Sequence, residues 1–365
     1  MFGIIVGLRR SAPCLKGRGP RSGEGIQLKI LQITLKPNGN YQIKLPSILY
    51  ILDIKSSDMY NISEVFYMLN INDIRMRDSF IVADGGVYYL YGTIGEQSGE
   101  KNLYVFKSRD LENFEEAKII FTLQSDSWGK QELWAPEVHC FRGKWYLFIS
   151  ILGHNGLRGT QIAVSDSPDG VFEPVANRPA TPLDKSCIDG TLYVENDVPY
   201  IVYSRDWPDN FVEEKGAYVG QIAAQELSPD LKEPIGEPFI LFESDEAPIS
   251  TGRPAVHEFF GKTVTRYGSD GPFLMKLKNG RLLLLWSPIP NGNYLIASAY
   301  SEDGIKGKFI HNEKPVFDEH GGHAMLFKDF ENKLRMSFHW PERNMDERTR
   351  ILTVKETETA LEVTD

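Results

Sequence analysis

The sequence predicts an all-β fold, a five-bladed β-propeller, and three observations carry that prediction. A strand rich in aromatic and β-branched residues recurs: Val87-Tyr88-Tyr89-Leu90-Tyr91 is followed by KWYLFIS from Lys144, PYIVYSR from Pro199, RLLLLWS from Arg281 and KLRMSFH from Lys333. Each is entered from a polar turn, and their starts lie 57, 55, 82 and 52 residues apart. Each is also followed by a further strand and turn: NLYVFKSRDLENF, TQIAVSDSPDGVF, YVGQIAAQELSPDL, YLIASAYSEDGIKGKF and RTRILTVKET. Five units of about four strands each, at a period near 50, are what radially repeated sheets require. A sandwich of similar hairpins would leave the 82-residue interval unexplained, whereas a propeller accounts for it by an insertion at 206–265 between the third and fourth blades.

Along the chain, residues 1–67 stand outside this repeat. The apolar run of the first ten residues precedes Arg9 and Arg10, the reverse of a secretory signal, so a cytoplasmic location is expected. A start at Met59 or Met68 would make the upstream stretch leader sequence. The propeller is expected over 68–358, with 359–365 as a tail. Its first blade opens with Arg77-Asp78-Ser79-Phe80 and turns at Asp84-Gly85-Gly86. The second opens with Glu132-Leu133-Trp134-Ala135-Pro136-Glu137-Val138, and the third with Cys187-Ile188-Asp189-Gly190. The fourth opens with Ser269-Asp270-Gly271-Pro272, and the fifth with His320-Gly321-Gly322-His323.

With 41% hydrophobic and 12% aromatic residues in 365, the chain can bury a large core in one domain. A net charge of -10 argues against nucleic acid or an anionic membrane as partner, and a neutral oligosaccharide fits better. No segment is long enough to span a bilayer. Cys14, Cys140 and Cys187 have no metal-type spacing and read as buried free thiols.

In a propeller the innermost strands line the axis, so equivalent positions converge. Those positions read Asp78, Glu137 or a neighbour, Asp189, Asp270 and His323. Carboxylates gathered in a partly desolvated funnel raise one another's pKa, which is costly without a purpose. Glycoside hydrolysis supplies one: a carboxylate acts as base toward water while another is kept protonated toward the leaving oxygen, about 6.5–9.5 Å apart when the outcome is inversion. Trp134 and Trp207 fall at channel-facing strand ends where sugar rings stack. Arg158, in the loop after the second blade's central strand, can donate two hydrogen bonds to vicinal hydroxyls. The turns SPDG at 167–170 and SEDG at 301–304 read as hairpin turns.

The motifs RDSF at 77–80, WAPEV at 134–138, CIDGTLYVENDVPYIVY from Cys187, DGPF at 270–273 and GGH at 321–323, in this blade order, resemble glycoside hydrolase family 43. The resemblance implies an inverting enzyme that releases terminal α-L-arabinofuranose or β-xylose from plant-type oligosaccharides. It implies Asp78 as general base and Asp189 as the carboxylate that tunes the acid. His323 would lie near the axis beside a structural calcium or a water cluster, with no cofactor required for the chemistry. Where most of the family has Glu-Gly-Pro, this chain has Asp270-Gly271-Pro272, one methylene shorter. Asp270 is therefore the expected acid, with Asp206 and Glu258 as alternatives. The shortened acid also feeds a competing expectation, a carbohydrate-binding propeller without chemistry, and a β-galactosidase of the same fold is a third. The insertion is expected to close one rim of the funnel and favour single-residue release.

Overall fold

The computed structural model describes residues 66–364 apart from 95–100, 258–260 and 344–345, together with the strands Gln32–Leu35, Tyr41–Leu45 and Ile48–Leu52. Five antiparallel sheets follow one another along the chain. Blade one comprises Arg77–Asp84, Val87–Thr93, Asn102–Ser108 and the outer strands Asn113–Glu115 and Lys118–Thr122. Blade two comprises Gly129–Phe141, Lys144–Gly153, Arg158–Ser165 and Glu173–Pro174. Blade three is Cys187–Glu195, Val198–Arg205, Gln221–Leu227 and Pro234–Glu243. Blade four is Asp270–Lys276, Leu282–Ser287, Ala297–Ser301 and Ile310–His311. Blade five is Gly322–Lys328, Leu334–Trp340, Arg348–Glu356 and Leu361–Val363. The architecture is the five-bladed propeller that the recurring strands predict. The first hairpin turns through Gly85 and Gly86, both at positive φ, as a two-residue turn between twisted strands requires.

The second strands read as continuous apolar runs because both of their faces are buried. In blade four, Leu282, Leu284 and Trp286 pack toward blade three against Tyr200, Val202 and Phe242. The alternate residues Leu283 and Leu285 pack toward blade five against Leu326, Met336 and Phe338. The same arrangement joins blades two and three through Phe148, Ile162, Ile201 and Tyr203. Blade one meets blades two and five in one cluster that holds Leu90, Tyr91, Ile149 and Phe327. The core is thus a ring of layers between blades. It closes where Met76 donates its amide to the Glu347 carbonyl at 3.1 Å and Arg75 bridges Arg348.

All five inner strands carry a β-bulge at one place, between Arg77 and Phe80, Trp134 and Glu137, Ile188 and Thr191, Asp270 and Phe273, and Gly322 and Met325. The first residue inside each bulge lies in the left-handed region: Asp78 (φ 52°), Ala135 (44°), Asp189 (57°), Gly271 (53°) and His323 (57°). A bulge leaves its extra residue outside the ladder and re-aims its side chain. The freed amides find acceptors on the preceding blade. Ala135 donates to Thr93 Oγ1 at 2.8 Å, Asp189 to Ser150 Oγ at 2.7 Å, His323 to Ser287 Oγ at 2.8 Å and Asp78 to His339 Nδ1 at 3.1 Å. In blade four the Gly271 amide turns instead to Asp189 Oδ2 at 3.0 Å, and Ser204 bonds Ser269.

The insertion forms its own sheet of Phe211–Val212, Ala217–Val219, Thr263–Tyr267 and Arg253–Val256, in that order. Upstream, the three short strands continue blade one's sheet outward through Phe66–Asn70. Among the described residues no helix is long and apolar enough to cross a membrane. Cys187 is a buried free thiol, as expected, but Cys140 is exposed: it lies at the end of its strand, beside the turn at Arg142 and Gly143, where alternation points it outward. Cys14 lies outside the described residues.

Replacing Ser150 with Ala leaves the buried Asp189 amide without its acceptor, and an orphaned buried donor costs about 1–3 kcal/mol. Urea denaturation of Ser150→Ala should show a lowered midpoint of that size; an unchanged midpoint would remove the bulge bond from the stability of the ring.

Candidate active site

Because the bulges sit in register, two layers of side chains ring the axis. The residues before the bulges are Arg77, Trp134, Ile188, Asp270 and Gly322, and those opening them are Asp78, Ala135, Asp189, Gly271 and His323. This corrects the equivalence drawn from sequence. Asp78, Asp189 and His323 share one layer, whereas Asp270 belongs one residue earlier and Glu137 two residues later, at the far end of its bulge. Glu137 is buried and held by His139 Nε2 at 2.8 Å, a structural pairing.

Asp78 is the most heavily tethered of the acids. Its Oδ2 accepts from Thr93 Oγ1 at 2.7 Å, and its Oδ1 lies 3.3 Å from Nδ1 of both His323 and His339. Burial alone would raise this carboxyl, but His323, the hydrogen bond with His339 and the Arg77 guanidinium outweigh it and hold Asp78 far below the usual carboxylate range. His339 is fully buried, and its Nε2 meets Glu342 Oε2 at 2.7 Å. With Nδ1 accepting the Asp78 amide, the ring proton sits on Nε2 and is donated to Glu342. Arg77 bonds Glu342 at 2.8 Å and Glu347 at 3.2 Å, so the chain Glu342–His339–Asp78 is braced from outside.

Asp189 and Asp270 behave oppositely. Burial and the charge of Asp78 push Asp189 up to about 8, although the Gly271 amide works to lower it. Burial and the charges of Asp189 and Asp206 push Asp270 up to about 8 as well. The charge of Asp189 works against that of Asp270, so the pair retains a proton. Asp270 is its better seat, because the Gly271 N–H favours the charged form of Asp189. Asp206 is buried at the end of blade three and adds its charge to both. His323 Nδ1, 3.8 Å from Asp189 Oδ2 and 3.3 Å from Asp78 Oδ1, bridges the ionised pair across the axis.

The remaining predicted residues divide. Trp134 and Arg158 come together, the guanidinium lying 4.2 Å over the indole ring and clamped by Glu132 at 2.6 Å. Trp207 begins the short turn after Asp206, but its side chain and all of Glu258 lie outside the described residues. Calcium takes six to eight oxygen ligands, and among the described residues no group of three or more His, Cys, Asp or Glu is arranged to hold a metal. With the His323 Nδ1 edge turned to two carboxylates, the axis residues do not build a calcium site of their own.

Sequence reasoning missed His339, Glu342, Thr93 and Tyr294. Tyr294 is buried, stacks on His339 with ring centres 5.3 Å apart, and is kept protonated by burial and by the charges of Asp270 and Asp78. One signal was available for the first three: Thr93 and His339 occupy the second-strand position facing each bulge, and Glu342 follows three residues after His339.

Comparison with known proteins accords with this geometry. The profile of Glycosyl hydrolases family 43 matches residues 71–358. An endo-arabinase from Bacteroides thetaiotaomicron VPI-5482 superposes with a TM-score of 0.69 at 34% identity, covering 79% of this chain and 97% of that one. A thermostable family-43 glycoside hydrolase superposes with a TM-score of 0.66 at 24% identity, over 80% of this chain and 93% of that one. A xylosidase/arabinosidase of Bacteroides ovatus is 29% identical over 112 residues, 30% of this chain and 33% of the relative, so the match spans about a third of that protein's length. A family profile that spans the propeller and a solved relative matched over nearly its whole length lead to one conclusion: the chain belongs to glycosyl hydrolases family 43.

Proposed function

We propose that the chain is an inverting glycoside hydrolase that releases terminal α-L-arabinofuranose or β-xylose units from plant-type oligosaccharides. The observation that supports this reading is the convergence of buried carboxyls under opposite influences: Asp78 is held by Thr93 Oγ1 at 2.7 Å and by two imidazoles at 3.3 Å, which favours its charge, while burial beside Asp189 and Asp206 favours the proton of Asp270. Asp78 takes a proton from the attacking water, and Asp270 gives one to the departing glycosidic oxygen. Asp189 stands between them, keeping Asp270 protonated by its charge, while His323, Arg77 and the Glu342–His339 pair keep Asp78 charged. The reading routes no step through a metal. Its test is chromophore release from p-nitrophenyl α-L-arabinofuranoside and β-xyloside, with NMR of the fresh sugar showing the inverted anomer. Silence on both, with sugar binding retained, would favour the carbohydrate-binding alternative.

The two roles separate by leaving group. Asp78→Asn should lower kcat by about 10²–10⁴-fold on every substrate, since each needs an activated water. Asp270→Asn should spare an aryl glycoside, whose leaving group departs unprotonated, and cripple a natural disaccharide. Equal losses on both substrates would move the acid role to Asp206 or Glu258.

The pH dependence follows with its sign. Asp270 retains its proton in the folded state up to about pH 8, whereas the unfolded chain releases it near pH 4. Over that window the native state binds more protons, so this group's contribution makes stability fall as pH rises toward 8. Asp78 is ionised in both states there and adds no slope. Asp189, raised to the same range by burial and the charge of Asp78, adds a slope of the same sign, so Asp270→Asn should make the curve shallower between about pH 4 and 8 and be the more stable form at the alkaline end. The kcat/KM of the native enzyme should fall as pH passes about 8. A native curve as flat as the variant's would show that the proton is not there.

Single-residue release is proposed on the ground that the insertion forms its own sheet, tied to blade four through Thr251 and Asn291 at 3.2 Å. Because the 34%-identical relative is an endo-arabinase, an internal cut is the second reading. Linear arabinan separates them: monosaccharide should dominate early for release from an end, and di- and trisaccharides for an internal cut.

A further inference from the structure

Blade two ends in an outer strand of two residues, Glu173–Pro174, whereas blade three carries a ten-residue strand, Pro234–Glu243, at its edge. The face that blade three turns to blade two is covered near the axis by Phe148 and Ile162 and left open further out. The opening is a cleft of about 600 Å³, within the range of small-molecule sites. Its walls are the connection from Arg178 to Lys185 and the outer strand, with Leu183 and Ile240 more than half exposed at the rim. None of the axial residues Asp78, Asp189, Asp270 and His323 lines it. Arg205 does, and it immediately precedes Asp206, so one end of the cleft begins at the funnel end of blade three.

The floor is polar at both ends and small between them. Gln221, Ala223 and Gln225 alternate onto one face of their strand, so the two amides stand about 13 Å apart with a methyl group between. Gln225 is only 6% exposed, and its Nε2 donates to the Gly236 carbonyl at 2.8 Å. That bond fixes the amide's orientation and leaves Oε1 an acceptor with no hydrogen bond among the described residues. Arg205 gives Nη1 to Gln221 Oε1 at 2.9 Å and makes no ion pair among the described residues, so Nη2 remains a donor. A donor at one end and an acceptor at the other suit hydroxyls, which are both. The charges of the walls balance: Arg178 bonds Glu233, Lys185 lies 3.5 Å from Asp184, and Arg205 shares the cleft with Glu237. Neither an anion nor a cation is favoured there.

We infer that this cleft is a second carbohydrate site, which holds a neutral segment of oligosaccharide apart from the funnel. Pro182, Phe239 and Ile240 cover the C–H faces of its rings, and Arg205 and Gln225 meet hydroxyls at its two ends. A long substrate held there is kept at high effective concentration beside the funnel. The inference rests on the proposed hydrolase reading only for the kind of sugar, a pentose polymer.

Electrophoresis through gels containing linear arabinan or linear xylan tests binding apart from hydrolysis. With Asp78→Asn present to leave the polymer uncut, at least one of the two should retard the chain, and Gln225→Met or Ile240→Asp should weaken the apparent binding about tenfold. Ile240 is exposed, so its replacement leaves the packed core untouched if Gln225→Met does not fold. Retardation that is absent with both polymers, or unchanged in the cleft variants, would overturn the site. Stronger retardation by polygalacturonate that fades in salt would overturn the recognition of neutral hydroxyls. In kinetics, with Asp78 intact, Ile240→Asp should raise KM about tenfold on the polymer and leave p-nitrophenyl pentosides unaffected, because an aryl pentoside occupies the funnel alone. Equal losses on both would place the effect in the fold and overturn the site. A chain retarded through the cleft that cleaves nothing would instead sink the hydrolase reading and leave the cleft standing.

Discussion

To send a side chain down the axis, each inner strand must break its own hydrogen-bond ladder, and the amide freed by the break must be satisfied in a place that water barely reaches. The rest of this structure depends on how that is done. The acceptors are short side chains on the second strand of the preceding blade, Thr93, Ser150, Ser287 and the imidazole of His339. An orphaned buried amide costs about 1–3 kcal/mol, enough to decide whether a left-handed non-glycine residue is tolerated. Asp78, Asp189 and His323 are therefore held by blades to which they do not belong. Inter-blade packing sets the position of each carboxyl more than its own strand does.

Charge is the second constraint. Asp78, Asp189, Asp206 and Asp270 lie within electrostatic reach of one another, an arrangement that four free anions would not survive. Cations and a retained proton resolve it unequally. The side of blades one and five supplies the Arg77 guanidinium and the hydrogen bonds that hold Asp78, and the blade-three and blade-four side takes the proton. The difference between Asp78 and Asp270 is thus an asymmetry between neighbouring blades, produced by which side chains face each bulge.

Strand identity was legible in the sequence because both faces of each second strand are buried, leaving runs such as LLLLW that turns punctuate. Asp78, Asp189 and His323 were legible for a related reason: each stands at a fixed offset from such a run. Asp270 and Glu137 were assigned to the wrong layer because a bulge inserts a residue that no propensity reveals, and an offset of one residue changes which side chain faces inward. The partners of Asp78 were hidden by distance along the chain. His339 lies 261 residues away, and its role appears only once the fifth blade returns to the first.

The ring is closed by the contacts that also hold Asp78. Met76 meets Glu347, Arg77 meets Glu342 and Glu347, and Asp78 meets His339 and His323, joining the start of the propeller to its last blade. During synthesis Asp78 emerges early, but every group that keeps it charged and aimed, apart from Thr93 and its own neighbour Arg77, is translated in roughly the final eighth of the chain. A nascent or truncated product lacking blade five would hold four blades and most of the acids yet leave Asp78 unheld. Completion of blade five and the fixing of Asp78 in its charged, aimed state are therefore a single event.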